Sequence, residues 1–259
     1  KLTGSVDLSN YDYPKYIGSY AFANCTGLNG NLIFSDLSEV KLIKIGEYAF
    51  YNCVGLTGQL NCTNLNYVDK YAFAGCTGLT GPLNFGVNLH KVGAHAFDGC
   101  TGFSGTLSFI SILNNELSIE ESAFKDCTGF KDGRLLFSFD RSNIKAEERS
   151  TYYLKIEQNA FENTKFKDIR YLGRTQPDCD CDIGLPSRKG IHTSSNYEDN
   201  SFCGNPLHKS KLSGGAIAGI VIACIVVVAI IVALAVFFIL KNKKNKDQSE
   251  NEVEMNQDP

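Results

Sequence analysis

The sequence predicts a β-rich repeat solenoid followed by a single transmembrane helix. A recurring phrase is the first sign of it. It reads A-F-A-N-C-T-G-L at Ala21–Leu28, A-F-Y-N-C-V-G-L at Ala49–Leu56 and A-F-A-G-C-T-G-L at Ala72–Leu79. It returns as A-F-D-G-C-T-G-F at Ala96–Phe103 and A-F-K-D-C-T-G-F at Ala123–Phe130, and a worn sixth copy starts at Ala160-Phe161. The phenylalanines Phe22, Phe50, Phe73, Phe97, Phe124 and Phe161 are 28, 23, 24, 27 and 37 residues apart. Periods of about 20 to 30 residues mark repeats too small to bury an apolar face alone, which must stack on their neighbours. The second sign is a pair of short alternating apolar stretches in each repeat, one on each side of the phrase. The third is Ala216–Leu240, an uncharged run of 25 residues.

Each coil can be read in order, with its cysteine as zero. The piece before Ala-Phe (Ile43–Gly46, Asn66–Val68, Lys91–Gly93, Leu117–Ile119, Leu154–Ile156) alternates like a strand. Ala-Phe-x-x-Cys is too short for a full helix and predicts one helical or 3₁₀ turn. Gly follows at +2 (Gly27, Gly55, Gly78, Gly102, Gly129) and Leu or Phe at +3. A second Gly stands at +5 (Gly30, Gly58, Gly81, Gly105), or at +6 in the fifth coil (Gly133). Two glycines so close predict tight bends with positive φ. The next Leu (Leu32, Leu60, Leu83, Leu107, Leu135) centres a second strand, such as Leu83–Phe85 or Leu107–Phe109. Like strands of successive coils are expected to pair in parallel, about 4.8 Å apart. The Phe column is expected to fill the core. Leu2–Val6 aligns with Leu79–Leu83, so the chain is expected to open partway through a coil of a longer protein.

Five of the ten cysteines, Cys25, Cys53, Cys76, Cys100 and Cys127, hold one fixed place in the repeat, and Cys62 lies off that column. A file of parallel side chains offers a disulfide the wrong torsion and gives zinc no converging set of four ligands. The ladder is therefore read as buried thiols capping backbone carbonyls. In the sixth coil Asn163 or Thr164 takes that place; either can cap and neither can bridge.

The pattern I-G-x-Y-A-F-x-x-C-x-G-L-x-G-x-L resembles the BspA-like leucine-rich repeats of Treponema pallidum type, in particular their protist surface-antigen branch. The resemblance covers about residues 1–172 and departs at the Asp140–Thr151 insert and the shortened sixth coil. It implies a right-handed solenoid displayed on cells, adhering to host cells or matrix proteins and acting as a surface antigen.

As a helix, Ala216–Leu240 would be about 37 Å long, enough to cross a bilayer core of about 30 Å with some tilt. Lys241, Lys243, Lys244 and Lys246 follow it at once, which favours a cytoplasmic C-terminus and a plasma-membrane protein with its repeats outside the cell. Gly215, Gly219 and Ala223 fall on one helix face and suit close contact with a second copy, a homodimer. Four segments result: the solenoid at 1–172, a Cys-containing cap and stalk at 173–212, the membrane helix at 213–240, and a tail at 241–259 whose composition reads as disordered. One disulfide is expected between Cys203 and either Cys179 or Cys181, leaving the other thiol able to cross-link chains. Asn24-Cys25-Thr26 and Asn61-Cys62-Thr63 fit the N-glycosylation pattern.

With 25 basic and 28 acidic side chains the chain has a formal charge of −3, which gives no basic face for nucleic acid. Its four histidines, His90, His95, His192 and His208, have no metal or catalytic spacing, and no Gly-rich phosphate loop opens a long helix. The sequence therefore predicts no catalytic residues, no metal and no cofactor, and points away from an enzyme. Tyr20, Tyr48 and Tyr71, continued by His95, should stack in register two places before each Phe and form a candidate binding face. The expected function is binding of host or matrix macromolecules, proteins or glycans, by a surface protein held by the lipid bilayer. A receptor signalling through an adaptor and a passive coat or decoy antigen are the alternatives.

Overall fold

The computed structural model describes residues 2–8, 16–34, 44–112, 116–140, 153–173, 176–180, 182–185, 190–195 and 197–207. The membrane helix and tail read from the sequence, and the Asp140–Thr151 insert beyond its first residue, lie outside these. The chain divides into units Lys1–His208 and Lys209–Pro259, and every described residue belongs to the first. Among the described residues no helix is long and apolar enough to cross a membrane.

Each coil contributes one short and one longer strand. The short strands are β2 (Tyr16–Ile17), β4 (Lys44–Ile45), β6 (Tyr67–Val68), β8 (Lys91–Val92), β10 (Glu116–Ile119), β12 (Tyr153–Ile156) and β14 (Asp178–Cys179), and they form one parallel seven-stranded sheet in chain order. The longer strands β5 (Gly58–Cys62), β7 (Leu79–Phe85), β9 (Phe103–Ile112), β11 (Arg134–Asp140), β13 (Asp168–Tyr171) and β15 (Ile191–Thr193) form a second parallel sheet. β1 (Gly4–Asp7) pairs with β3 (Leu28–Ile33), which meets β5 through a single bridge between Asn31 and Thr57. Like pairs with like: Leu107 lies opposite Leu135, and Phe109 opposite Phe137.

The inward residues file into columns. Phe22, Phe50, Phe73, Phe97, Phe124 and Phe161 stack with successive centroids 5.0, 5.2, 5.2, 5.2 and 5.6 Å apart and ring planes within 9° of parallel. A second file runs Phe85, Phe109, Phe137, and a third Phe103, Phe130, Phe166. Burying one such ring contributes about 2–3 kcal/mol. Phe50 through Phe161 are fully buried, but Phe22, Cys25 and Ala21 are not, because no described coil covers their outer side.

The turn between the two strands is not the helical turn that its length suggests. Its N–H groups alternate in direction. Those of Ala21, Ala23 and Cys25 bond back to Gly18, Tyr20 and Phe22 of the same coil, whereas those of Tyr20, Phe22 and Asn24 reach Glu47, Ala49 and Tyr51 of the next. A helix would direct all of them along its own axis; stacking uses half of them to join coils. The geometry places Tyr20, Tyr48, Tyr71, His95, Ser122 and Asn159 at φ between 54° and 60°, a region that side chains other than glycine enter at a cost. One 3₁₀ turn, Thr128–Phe130, is present among the described residues, and it follows the cysteine instead of preceding it.

The glycines at +2 also differ from expectation, since none of them has positive φ. A Cβ on Gly55, Gly78, Gly102 or Gly129 would strike the carbonyl oxygen of Leu28, Leu56, Leu79 or Phe103 in the coil before. They permit close approach of neighbouring backbones. Positive φ occurs at the second glycine of four coils, Gly4, Gly58, Gly81 and Gly105.

The solenoid continues past Leu172. β14 and β15 add a seventh coil from the segment read as cap and stalk, with Ile183 buried in it. A small antiparallel hairpin, β16 (Ser201–Phe202) with β17 (Asn205–Pro206), then closes the end. Phe202 packs 5.0 Å from Tyr171, Tyr197 packs 5.6 Å from it, and a Cys179–Cys203 disulfide ties the hairpin to β14.

Candidate functional site

Tyr20, Tyr48, Tyr71 and His95, each two places before its Phe, stand at the corner of their coils on left-handed backbone, whereas Ser122 at the same place is buried. Tyr20 and Tyr48 stack with centroids 4.9 Å apart, Tyr48 and Tyr71 4.9 Å, and Tyr71 and His95 4.6 Å. Tyr51 sets its edge against Tyr48 and Tyr71. Tyr20 is the most open at 59% exposure, and Tyr48, Tyr71 and His95 are half-buried. His95 ends the file by pairing through Nδ1 with Asp98 at 2.7 Å, and the Lys70 ammonium lies 5.5 Å from the Tyr71 ring. Burial and the neighbouring phenols Tyr71 and Tyr20 raise the Tyr48 hydroxyl above its ordinary pKa.

This geometry decides what the file can do. Apart from the outer face of Tyr20, its ring faces from Tyr20 to His95 are occupied by one another, so along its length it offers a row of edges. It is a fixed line of phenol groups repeating at the coil spacing, suited to hydrogen bonding along an extended partner rather than to stacking beneath a sugar ring.

The ladder cysteines have a different task. The thiols of Cys53, Cys76, Cys100 and Cys127 each donate to a phenylalanine carbonyl of the preceding coil (Phe22, Phe50, Phe73 and Phe97), all at 3.0 Å. Thr164 takes the place in the sixth coil, donating at 2.8 Å to Phe161 of its own coil. Burial pushes the Cys53 thiol up to about 11 and raises Cys62, Cys76, Cys100 and Cys127 as well, so these groups are protonated and unreactive at neutral pH. Cys62 stands opposite Phe85, in the second aromatic column. Cys203 is joined to Cys179, and Cys181 lies outside the described residues.

The two glycosylation patterns sit differently. Asn61 is exposed, and its Oδ1 accepts from the Thr63 hydroxyl at 2.7 Å and the Thr63 backbone N–H at 3.1 Å. Asn24 has φ 57°, and its Oδ1 accepts from Asn52 Nδ2 of the next coil at 3.2 Å.

One cluster escaped sequence reasoning. On the outer face of the second sheet, Asp168 Oδ2 accepts from Arg134 Nε at 2.7 Å and from Arg170 Nε at 2.9 Å, while His192 Nε2 stands 3.7 Å from Oδ1. Partial burial pushes the Asp168 carboxyl up, but the two guanidinium hydrogen bonds outweigh it and hold the group below the usual carboxylate range. The four residues come from three coils and meet only through register: Arg134 lies opposite Asp168, and Arg170 opposite His192.

Taken together, stacked coils, a phenylalanine file and a thiol ladder define a protein of the leucine-rich-repeat solenoid class. The family described as "BspA type Leucine rich repeat region" matches residues 4–131 in six copies, and the repeat region of this chain belongs to it. Comparison with curated proteins and with solved structures finds no match.

Proposed function

We propose that this chain is a cell-surface protein that binds macromolecules of a host cell or its matrix through the solenoid, held in the plasma membrane by residues 216–240. The observation that carries this reading is the file Tyr20, Tyr48, Tyr71 and His95, a rigid row of aromatic edges at the corner of successive coils. Rigid aromatic groups lose little entropy on binding and concentrate at interface hot spots. The family of the repeat region, the apolar run and the lysines after it support a displayed binding module with its C-terminus in the cytoplasm.

The test uses cells displaying the full chain, compared with cells carrying Tyr20→Phe, Tyr48→Phe and Tyr71→Phe together. These changes keep the ring stack and remove its hydroxyls. Adhesion to host cells or matrix-coated surfaces is expected to fall in the variant to near the level of cells lacking the protein. Equal adhesion by displaying and bare cells would overturn the reading.

A further inference from the structure

Most lysines in ion pairs on this solenoid are matched one to one. Lys44 pairs with Asp69 at 2.7 Å, Lys91 with Glu120 at 2.6 Å, Lys125 with Glu162 at 2.8 Å and Lys155 with Glu157 at 2.7 Å. The cluster around Asp168 departs from this pattern. A single carboxylate serves two guanidinium groups and faces an imidazole. Both arginines reach it through Nε, and among the described residues their Nη atoms make no hydrogen bond.

Charge accumulates around the same corner. Lys167 N donates to Gly133 O, which sets Lys165–Lys167 beside Lys131–Arg134 on adjacent coils. Lys131, Lys165, Lys167 and Arg170 are exposed and Arg134 is half-buried, against the carboxylates of Asp132 and Asp168. The surplus is positive on a chain whose total is −3.

The geometry points to an extended polyanion as the ligand of this corner, specifically a sulfated polysaccharide. Asp168 fixes the two guanidinium planes, and a fixed fork is preorganised for sulfate or carboxylate oxygens. The cations sit on successive coils about 4.8 Å apart, so a single small anion can use only part of the set. The contacts are exposed, or half-buried at Arg134, and screened by salt, so useful affinity requires a ligand that engages several at once. The rings beneath the patch, Phe130, Phe166 and Tyr171, are buried and offer no face to a base, which disfavours single-stranded nucleic acid. The inference rests on the surface-binding reading above and adds a ligand class and a second face to it.

The experiment measures retention of the full chain, in neutral detergent, on immobilised heparin as the sulfated probe. Neutral dextran and DNA of comparable charge density serve as competitors. Wild type should bind at low salt, elute as salt rises and be displaced by heparin in preference to DNA. Arg134→Gln with Arg170→Gln should weaken binding about thirtyfold, the size expected if each contributes about 1 kcal/mol. Lys165→Gln with Lys167→Gln changes only exposed groups, provides a folded second variant, and should also weaken binding. Lys44→Gln with Lys91→Gln should leave it within about twofold, as screened charges on another sheet contribute little. No retention of wild type, equal loss in the control pair, or preference for DNA would each overturn the proposal. The readout is made on isolated chain, so it succeeds or fails independently of the adhesion assay.

Discussion

A buried thiol in each of four coils makes the same bond, from Sγ to the phenylalanine carbonyl of the coil before. Burial makes the contribution of each thiol pH-dependent, and repetition multiplies it. The Cys53 thiol holds its proton up to about 11 in the fold, against an ordinary value of 9.0, because burial penalises the thiolate. Above about pH 9 the unfolded chain releases that proton while the folded chain keeps it, so the unfolded state binds fewer protons and stability falls as pH rises. Below pH 9 both states keep the proton and the thiols add no pH dependence. The urea midpoint should be level in thiol contribution up to about pH 9 and decline above it. Cys53→Ala and Cys76→Ala together should flatten that decline while lowering the midpoint at pH 7. The position of these cysteines was legible because they repeat; their carbonyl partners in the preceding coil were not, since no spacing reveals which coil a side chain reaches.

At the scale of the element, the strands were legible and the turn was not. Alternation marked Leu83–Phe85 and Leu117–Ile119, and both lie within strands. Tyr-Ala-Phe-x-x-Cys has the look of a helical turn because it makes i to i−3 bonds; its other N–H groups go to the next coil, a fact of packing that local sequence does not carry. The glycines separate two physical causes. Gly102→Ala should destabilise by about 1–3 kcal/mol, since its Cβ would meet the Leu79 and Thr77 carbonyls of the preceding backbone, which cannot yield cheaply. Gly99 has φ 71° with open space around it, and Asn24, Asn52 and Asn163 occupy the same place in other coils at φ 55–60°. Gly99→Asn should therefore lie within about 0.5 kcal/mol of wild type. Paired chemical denaturation curves check both. A loss for Gly99→Asn as large as that for Gly102→Ala would contradict this account of the turn.

At the scale of the whole solenoid, the seventh coil was hidden because it lacks the Ala-Phe-x-x-Cys phrase, with Ile183 standing where the small core residue belongs. The choice of Cys179 over Cys181 as the partner of Cys203 likewise depends on the coil that carries it, not on spacing. The Asp168 cluster could not be read at all, since its members are spread from Arg134 to His192 and only the parallel register unites them. The Cys179–Cys203 disulfide spans a sequence separation of 24 and pins the hairpin that covers Phe137 and Tyr171. Cys203→Ser should cost about 3 kcal/mol by loop closure alone. Amide exchange should then accelerate first in β14–β17 and last around Phe73 and Phe97. A uniform acceleration would indicate one all-or-none unit instead of coils that fray from an end.

The inter-coil bonds have a bearing on how such a molecule changes over generations. In the coils of Cys53, Cys76, Cys100 and Cys127 a thiol, an N–H row and a ring all seek partners one step away, and each of these coils presents the same sockets to the next. Unequal crossing-over that adds or deletes a full unit would leave no socket empty, whereas a partial unit would break the register on both sheets. Reach is thus the cheapest property for heredity to adjust.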